Sequence, residues 1–212
     1  VKVLASDYDY DKHFFLSGFY WQNYENAFSI YPTITSSAAP LIEYEVWKLN
    51  ASTTVSQDQR LGTGFLRLGE SQTQNKYNIP NGVGSYYKEA DIQAIRSGAA
   101  EVKDKQINPN EVAEGRWIRL KENIDYTLNR DLGTIDLNVQ LETSSALAIA
   151  YRIQTIGSQS ITVGDFSNTG NNSDTSKSRL ILKLIRPKSP APPDTAKPAE
   201  YALLFFHGQG DT

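Results

Sequence analysis

The chain has 212 residues, 21% of them charged, a net charge of −3 and no cysteine. That is chain enough for one domain with its own core, and it excludes disulfides, thiol catalysis and zinc–thiolate centres. The mild acidity argues against a nucleic-acid surface, which needs a basic patch, and two histidines, His13 and His207, cannot build a His-rich metal site within one chain.

Taken in chain order, residues 11–31 read as one long helix. Leu16, Tyr20, Tyr24, Ala27 and Phe28 recur at helical spacing, Asp11 stands at the N-cap position and Pro32 at the stop. Gly18 weakens its middle by roughly 1 kcal/mol. "PLIEYEVWKLN" (40–50) alternates as a strand. "RLGTGFLRLGE" (60–70) is apolar, with Gly62, Gly64 and Gly69 suggesting bends. "NIPNGVGSYY" (78–87) has loop chemistry. "KEADIQAIRSG" (88–98) predicts a short helix ended by Gly98, and a polar, turn-rich segment (106–115) leads into a strand at 116–120.

The most regular stretch is 125–153, "DYTLNRDLGTIDLNVQLETSSALAIAYRI". Strands at Tyr126–Leu128, Ile135–Leu141 and Leu147–Ile153, separated by turns at 129–133 and 142–145, predict a three-stranded antiparallel meander. Gly133 supplies the positive φ of the first turn. One apolar face on each strand requires a covering layer, onto which the 11–31 helix is expected to pack. "SITVGDF" (160–166) continues the β pattern, 167–178 is a polar loop, and "RLILKLIRP" (179–187) is a last strong strand. The expected fold is therefore α+β, a mostly antiparallel sheet with one substantial N-terminal helix. The expected organisation is a module over 1–187, a Pro-rich linker over 188–198 and an apolar tail over 199–212.

Candidate chemistry is sparse. Asp7, Asp9 and Asp11 have the first spacings of a calcium loop, but Lys12 and Gly18 stand where Gly and Glu are needed; a solvated acidic segment is the better reading. His207-Gly208-Gln209-Gly210 after "LLFF" has the look of an oxyanion-hole strand end, yet no G-x-S-x-G elbow occurs. The G-x-G of 82–84 lacks a strand–helix crossover. Asn50-Ala51-Ser52 and Asn171-Asn172-Ser173 fit the glycosylation pattern and read as polar loops. Trp21, Trp47, Trp117, Tyr86 and Tyr87 offer rings for sugar stacking, with a place in the core as the commoner role for such residues. No catalytic, cofactor-binding or metal residue is assigned and no cofactor is expected. The longest apolar run, "YALLFF" (201–206), is far short of the ~20 residues of a membrane helix. With no initial Met and no visible signal peptide, a processed or excised piece is expected.

The order of segments resembles a known family. "KHFFL", "NYENAFSIYPTI", "IEYEVW" and "RLGE", followed by "RLKENIDYTLNRDLGTIDLNVQLETSSALAIAYRI", "ITVGDF" and "RLILKLIRP", is similar to a module of the SprA/Sov proteins, the outer-membrane translocon of type IX secretion and gliding motility. The resemblance spans roughly 12–186. Departures are "LGT" for a usual "LGY", Asp165 for a usual Glu, "SSAL" for "DEVL", and the unmatched linker and tail. The resemblance implies a non-catalytic module outside the lipid, in the outer-membrane assembly, that caps, gates or docks exported proteins. Its partners would be the rest of the translocon, its accessory proteins and its cargo. Loops 71–87, 99–115 and 167–178 and the tail 188–212 are the expected contacts. The alternative is a free-standing bacterial cell-surface β-domain that binds polysaccharide.

Overall fold

A computed structural model describes residues 12–28, 39–50, 59–72, 79–82, 84–142, 144–155, 159–168 and 178–188. Its strands are β1 (His13–Phe15), β2 (Leu41–Leu49), β3 (Gln59–Phe65), β4 (Val112–Arg119), β5 (Tyr126–Asn129), β6 (Thr134–Leu137), β7 (Leu147–Gln154), β8 (Ser160–Val163) and β9 (Leu180–Arg186). Two short α-helices accompany them, α1 (Gly18–Ala27) and α2 (Glu89–Arg96). The fold is thus mixed α and β, dominated by strands. Every strand pairing is antiparallel except β3 with β9.

The larger sheet runs β2-β4-β3-β9-β7-β8, and β7 also pairs with β2, which closes β2, β4, β3, β9 and β7 into a barrel. A five-stranded barrel is narrow, and its interior composition follows from that. Trp47, Leu49, Trp117, Leu182 and Leu184 fill it. Around them Ala146, just before β7, and Ala148 and Ala150 of β7 join Ala113 of β4. On β3 even alanine is too large: a Cβ at Gly64 would lie 2.6 Å from Leu184 Cδ2, and one at Gly62 would lie 3.0 Å from Trp117 Cδ1. Gly62 and Gly64 are therefore not bends. They lie inside a regular strand and make room for the tryptophan and leucine opposite. Gly69, at φ 83°, is a turn residue as expected.

A second core lies on the barrel's outer wall. Val46, Phe65, Leu147, Ile149, Tyr151, Ile181 and Ile185 meet Phe14, Phe19 and Tyr20 from the N-terminal segment, Ile92 and Ile95 from α2, and Tyr126, Ile135 and Leu137 from β5 and β6. The covering layer includes a small sheet of order β1-β6-β5. Its hairpin turn is built by Asn129, whose side-chain oxygen accepts from the N–H groups of Asp131 and Leu132, both at 3.0 Å. Gly133 closes the turn at φ 63°. A Cβ there would collide with the Tyr20 ring at 2.2 Å, so this glycine serves both the turn and the docking of α1.

Two expectations are corrected. The long helix over 11–31 is not formed: α1 has 10 residues, Gly18 is its first, and His13–Phe15 is a strand on the edge of β6. The aromatic run His13-Phe14-Phe15 suits a strand, and β6 offers it unpaired backbone groups. The three-stranded meander is also not formed. β5 and β6 pair as expected, but β7 pairs with β2, β8 and β9 and never with β6. The reason lies in its side chains. β7 is apolar on both faces, large residues outward and alanines inward, and only a barrel wall under a covering layer buries both. Of the residues expected in the meander core, Ile135, Leu137, Leu147, Ile149 and Tyr151 are buried and Val139 is half-buried.

Candidate functional site

The barrel's charged residues fasten it together. Glu45 is 5% exposed. Its carboxylate accepts from Ser167 N–H and Ser167 Oγ, each at 2.7 Å, and pairs with Arg119 Nη1 at 3.1 Å. These contacts hold Phe166, which joins the barrel-interior core, under the Arg152 guanidinium. Asp165 accepts from Arg96 Nε and Nη2, both at 3.0 Å, and from Ile181 N–H at 3.0 Å, tying α2 to β9. Lys183 is 1% exposed; its Nζ donates to the Leu66 carbonyl at 3.0 Å and to Glu70 at 3.4 Å. Burial lowers the Lys183 ammonium below the ordinary lysine value, and Glu70 opposes that shift. Burial likewise raises the hydroxyls of Tyr20, Tyr87, Tyr126 and Tyr151 above the ordinary tyrosine value. Among the described residues no group of three or more His, Asp or Glu converges as a metal site.

Among the described residues a groove of about 1390 Å³ lies at the end of the barrel. It is lined by the end of β2 (Trp47, Lys48, Leu49) and of β4 (Ile118, Arg119), by Arg60 from the start of β3, by the turn before β5, and by Val139 and Glu142 from the segment between β6 and β7. Local chemistry shapes the turn: the Lys121 N–H donates to Asp125 Oδ2 at 2.8 Å, and Asn123 takes a left-handed φ of 64°, a conformation asparagine tolerates. Ile124 is thereby held 65% exposed at the rim. Tyr44 Oη donates to Glu122, and the Arg130 guanidinium lies 4.9 Å from the Tyr44 ring centre. Burial, then the bond to Glu122, raises the Tyr44 hydroxyl above its ordinary value.

The rings considered for sugar stacking are mostly inside. Trp47 and Trp117 are 1% and 0% exposed, and the Trp117 indole N–H donates to the Gly62 carbonyl at 3.1 Å. Tyr87 is buried and Tyr86 half-buried, with Arg67 over its ring; only Trp21 is substantially exposed, at 41%. Asn50 joins the strand network through its N–H on the Arg116 carbonyl. Of the expected contact loops, 99–115 is largely ordered structure: 3-10 turns at Val102–Asp104 and Pro109–Glu111 precede β4. In 71–87 the two stems are joined, with Ser85 and Tyr86 N–H on the Glu70 carbonyl and Ser71 on Ser85. Asp7, Asp9, Asp11, His207, the 169–177 part of the polar loop, the linker after Lys188 and the tail 199–212 lie outside the described residues.

Sequence reasoning assigned no binding residue. The groove's Lys48, Arg60 and Lys121 come from separate segments, and the one local signal was the "KENID" turn at 121–125. No protein-family model and no curated protein matches this chain.

Proposed function

We propose that the chain is a non-catalytic, extramembrane module of an outer-membrane translocon of the SprA/Sov kind, serving as a rigid cap, gate or docking surface for exported proteins. The observation that carries this reading is the burial of β7 and β9 on both faces by residues of the chain itself. On β7, Leu147, Ile149, Tyr151 and Ile153 lie in the outer core, and Ala148 and Ala150 lie in the barrel interior. A strand in the wall of a transmembrane barrel gives alternate side chains to lipid. These strands have none to give, which supports a self-covered body beside the lipid. No described helix is long and apolar enough to cross a membrane.

The charged pairs of the barrel support the non-catalytic part of the reading. Glu45, Asp165 and Lys183 are each engaged by protein groups that join one segment to another. The secretion context rests on the resemblance of residues 12–186. The polysaccharide alternative loses its main support, because a sugar platform needs open ring faces and Trp47, Trp117 and Tyr87 are buried.

The test is replacement of residues 12–186 by a flexible linker within the full-length translocon, with cargo export measured in the medium and assembly followed in the outer-membrane fraction. Loss of export with assembly retained is expected. Undiminished export would remove the docking role.

A further inference from the structure

Asn81-Gly82 is the only Asn-Gly pair in the sequence, and the fold leaves it unguarded. Pro80 is buried, and Asn81 beside it is exposed. The Asn81 backbone is engaged on both sides: its N–H donates to the Gly69 carbonyl at 3.0 Å, and its carbonyl accepts from Gly84 N–H at 2.9 Å. Among the described residues, though, neither the Asn81 carboxamide nor the Gly82 N–H has a hydrogen-bond partner. Other asparagines differ. The Asn108 side chain accepts from Asn110 N–H, and the next residue, Pro109, has no N–H to offer. The Asn129 carboxamide is held by the N–H groups of Asp131 and Leu132, and that of Asn138 donates to the Ile124 carbonyl.

We infer that Asn81 is a site of spontaneous covalent modification, converting through a succinimide to isoaspartate and aspartate and so loosening the clasp between residues 69–70 and 81–86. The chemistry needs only these two residues and water. The Gly82 nitrogen attacks Asn81 Cγ, with no Cβ of its own residue in the way. An N–Cγ bond forms, the Cγ–Nδ2 bond breaks, and the amide NH₂ leaves as ammonia with the proton that the Gly82 nitrogen gives up. Water then opens the ring at one carbonyl or the other, giving aspartate or isoaspartate, and nothing is oxidised or reduced. Either product adds one negative charge to a chain of net charge −3. In isoaspartate the main chain also runs through Cβ and Cγ, one atom longer, and the former Asn81 carbonyl becomes a carboxylate beside it. The clasp has little slack for that atom. Ser85 and Tyr86 N–H both bond the Glu70 carbonyl, and Gly84 lies so close that a Cβ on it would come 2.2 Å from the same oxygen.

The inference stands apart from the docking reading. It is tested by holding the 212-residue chain in warm buffer at neutral and at mildly alkaline pH. Peptide mass mapping then locates each exchange of amide NH₂ for OH, and labelling with an isoaspartyl methyltransferase marks the isoaspartate. Conversion is expected at Asn81 ahead of Asn108, Asn129 and Asn138, faster at the higher pH, with the isoaspartate label at residue 81. Asn81→Gln should lose the label, and Gly82→Ala should slow its appearance severalfold. Hydrogen exchange at Ser85 and Tyr86 should quicken in the converted protein. Asn81→Asp, which carries the charge without the extra main-chain atom, should exchange there nearly as the fresh protein does. Conversion at Asn81 no faster than at the other three, or aspartate with no isoaspartate, would overturn the site. Unchanged exchange in the converted protein would overturn the loosening of the clasp.

Discussion

The barrel interior makes a sharp demand at Gly64. Gly64→Ala places a methyl 2.6 Å from Leu184 Cδ2, 3.0 Å from its Cγ and 3.2 Å from Trp117 Cζ2. Leu184 and Trp117 are both fully buried, so neither yields by swinging into solvent. Two effects compete. Alanine restricts the unfolded chain and favours the strand by about 0.5–1 kcal/mol. Overpacking a tight core costs about 1–3 kcal/mol. The steric effect is the larger, and a net loss of about 1–2 kcal/mol is expected, a fall in Tm of roughly 3–6 °C for a domain of this size. Leu184→Ala alone leaves a cavity costing about 2–5 kcal/mol. In the double variant the new methyl takes part of the vacated space, so its loss should fall short of the summed single losses by about 1 kcal/mol or more. Equilibrium urea unfolding of the four proteins reads this directly. Additivity within about 0.5 kcal/mol, or a stabilising Gly64→Ala, would show that Gly64 does not face Leu184 across a filled barrel.

Three further outcomes are expected. Burial lowers the Lys183 ammonium below the ordinary 10.5, so between that lowered value and 10.5 the folded chain holds fewer protons than the unfolded one. The wild type should therefore gain stability relative to Lys183→Met as pH rises from neutral toward 10.5; a flat or falling difference in unfolding free energy would contradict this. The Tyr151 hydroxyl is fully buried and has no partner among the described residues, so Tyr151→Phe should be neutral or stabilising by up to about 1 kcal/mol. A thermal melt showing a larger loss would reveal a bound water or another acceptor. Asp165→Ala removes both Arg96 contacts and the one to Ile181 N–H, at a cost of about 1.5–3 kcal/mol. Hydrogen exchange should quicken at 164–167 before it does in the barrel strands, and unchanged stability would refute the role given to this carboxylate.

Local elements were legible wherever their chemistry is local. β2, β9, α2 and the Asn129–Gly133 turn each carry their own period or turn residues, and each lies where the pattern puts it. Partner choice was not legible. The alternation that reveals β7 as a strand is the same whether it joins β6 or β2, and the alanines between its large residues do not say what they face. They are the narrow interior of a barrel. Gly62 and Gly64 misled for a related reason: a glycine that bends a chain and a glycine that makes way for a distant tryptophan read alike. His13–Phe15 was absorbed into a helix because its aromatic residues continue the stripe of α1, and only the free edge of β6 separates the two outcomes. The groove was invisible because strands far apart in sequence assemble it; Lys48, Arg60 and Lys121 each look like an ordinary surface cation.

The buried charges bear on what so regular a sheet holds in place. A charge removed from water is costly unless it is paired and hydrogen-bonded, and here each such charge fixes a segment that is not itself strand. Glu45 holds Ser167 beside Phe166, Asp165 holds the end of α2, and Lys183 holds the Leu66 carbonyl and Glu70. From Glu70 the hold passes onward, since its carbonyl takes the N–H groups of Ser85 and Tyr86. The roots of the connecting segments are therefore set by the barrel. Segments fixed at their roots present a surface whose ordering entropy is largely spent before a partner arrives, and preorganisation of that kind favours affinity and selectivity. On the proposed docking reading, a barrel whose interior is filled by its own side chains would be the reference body from which these segments are held in place.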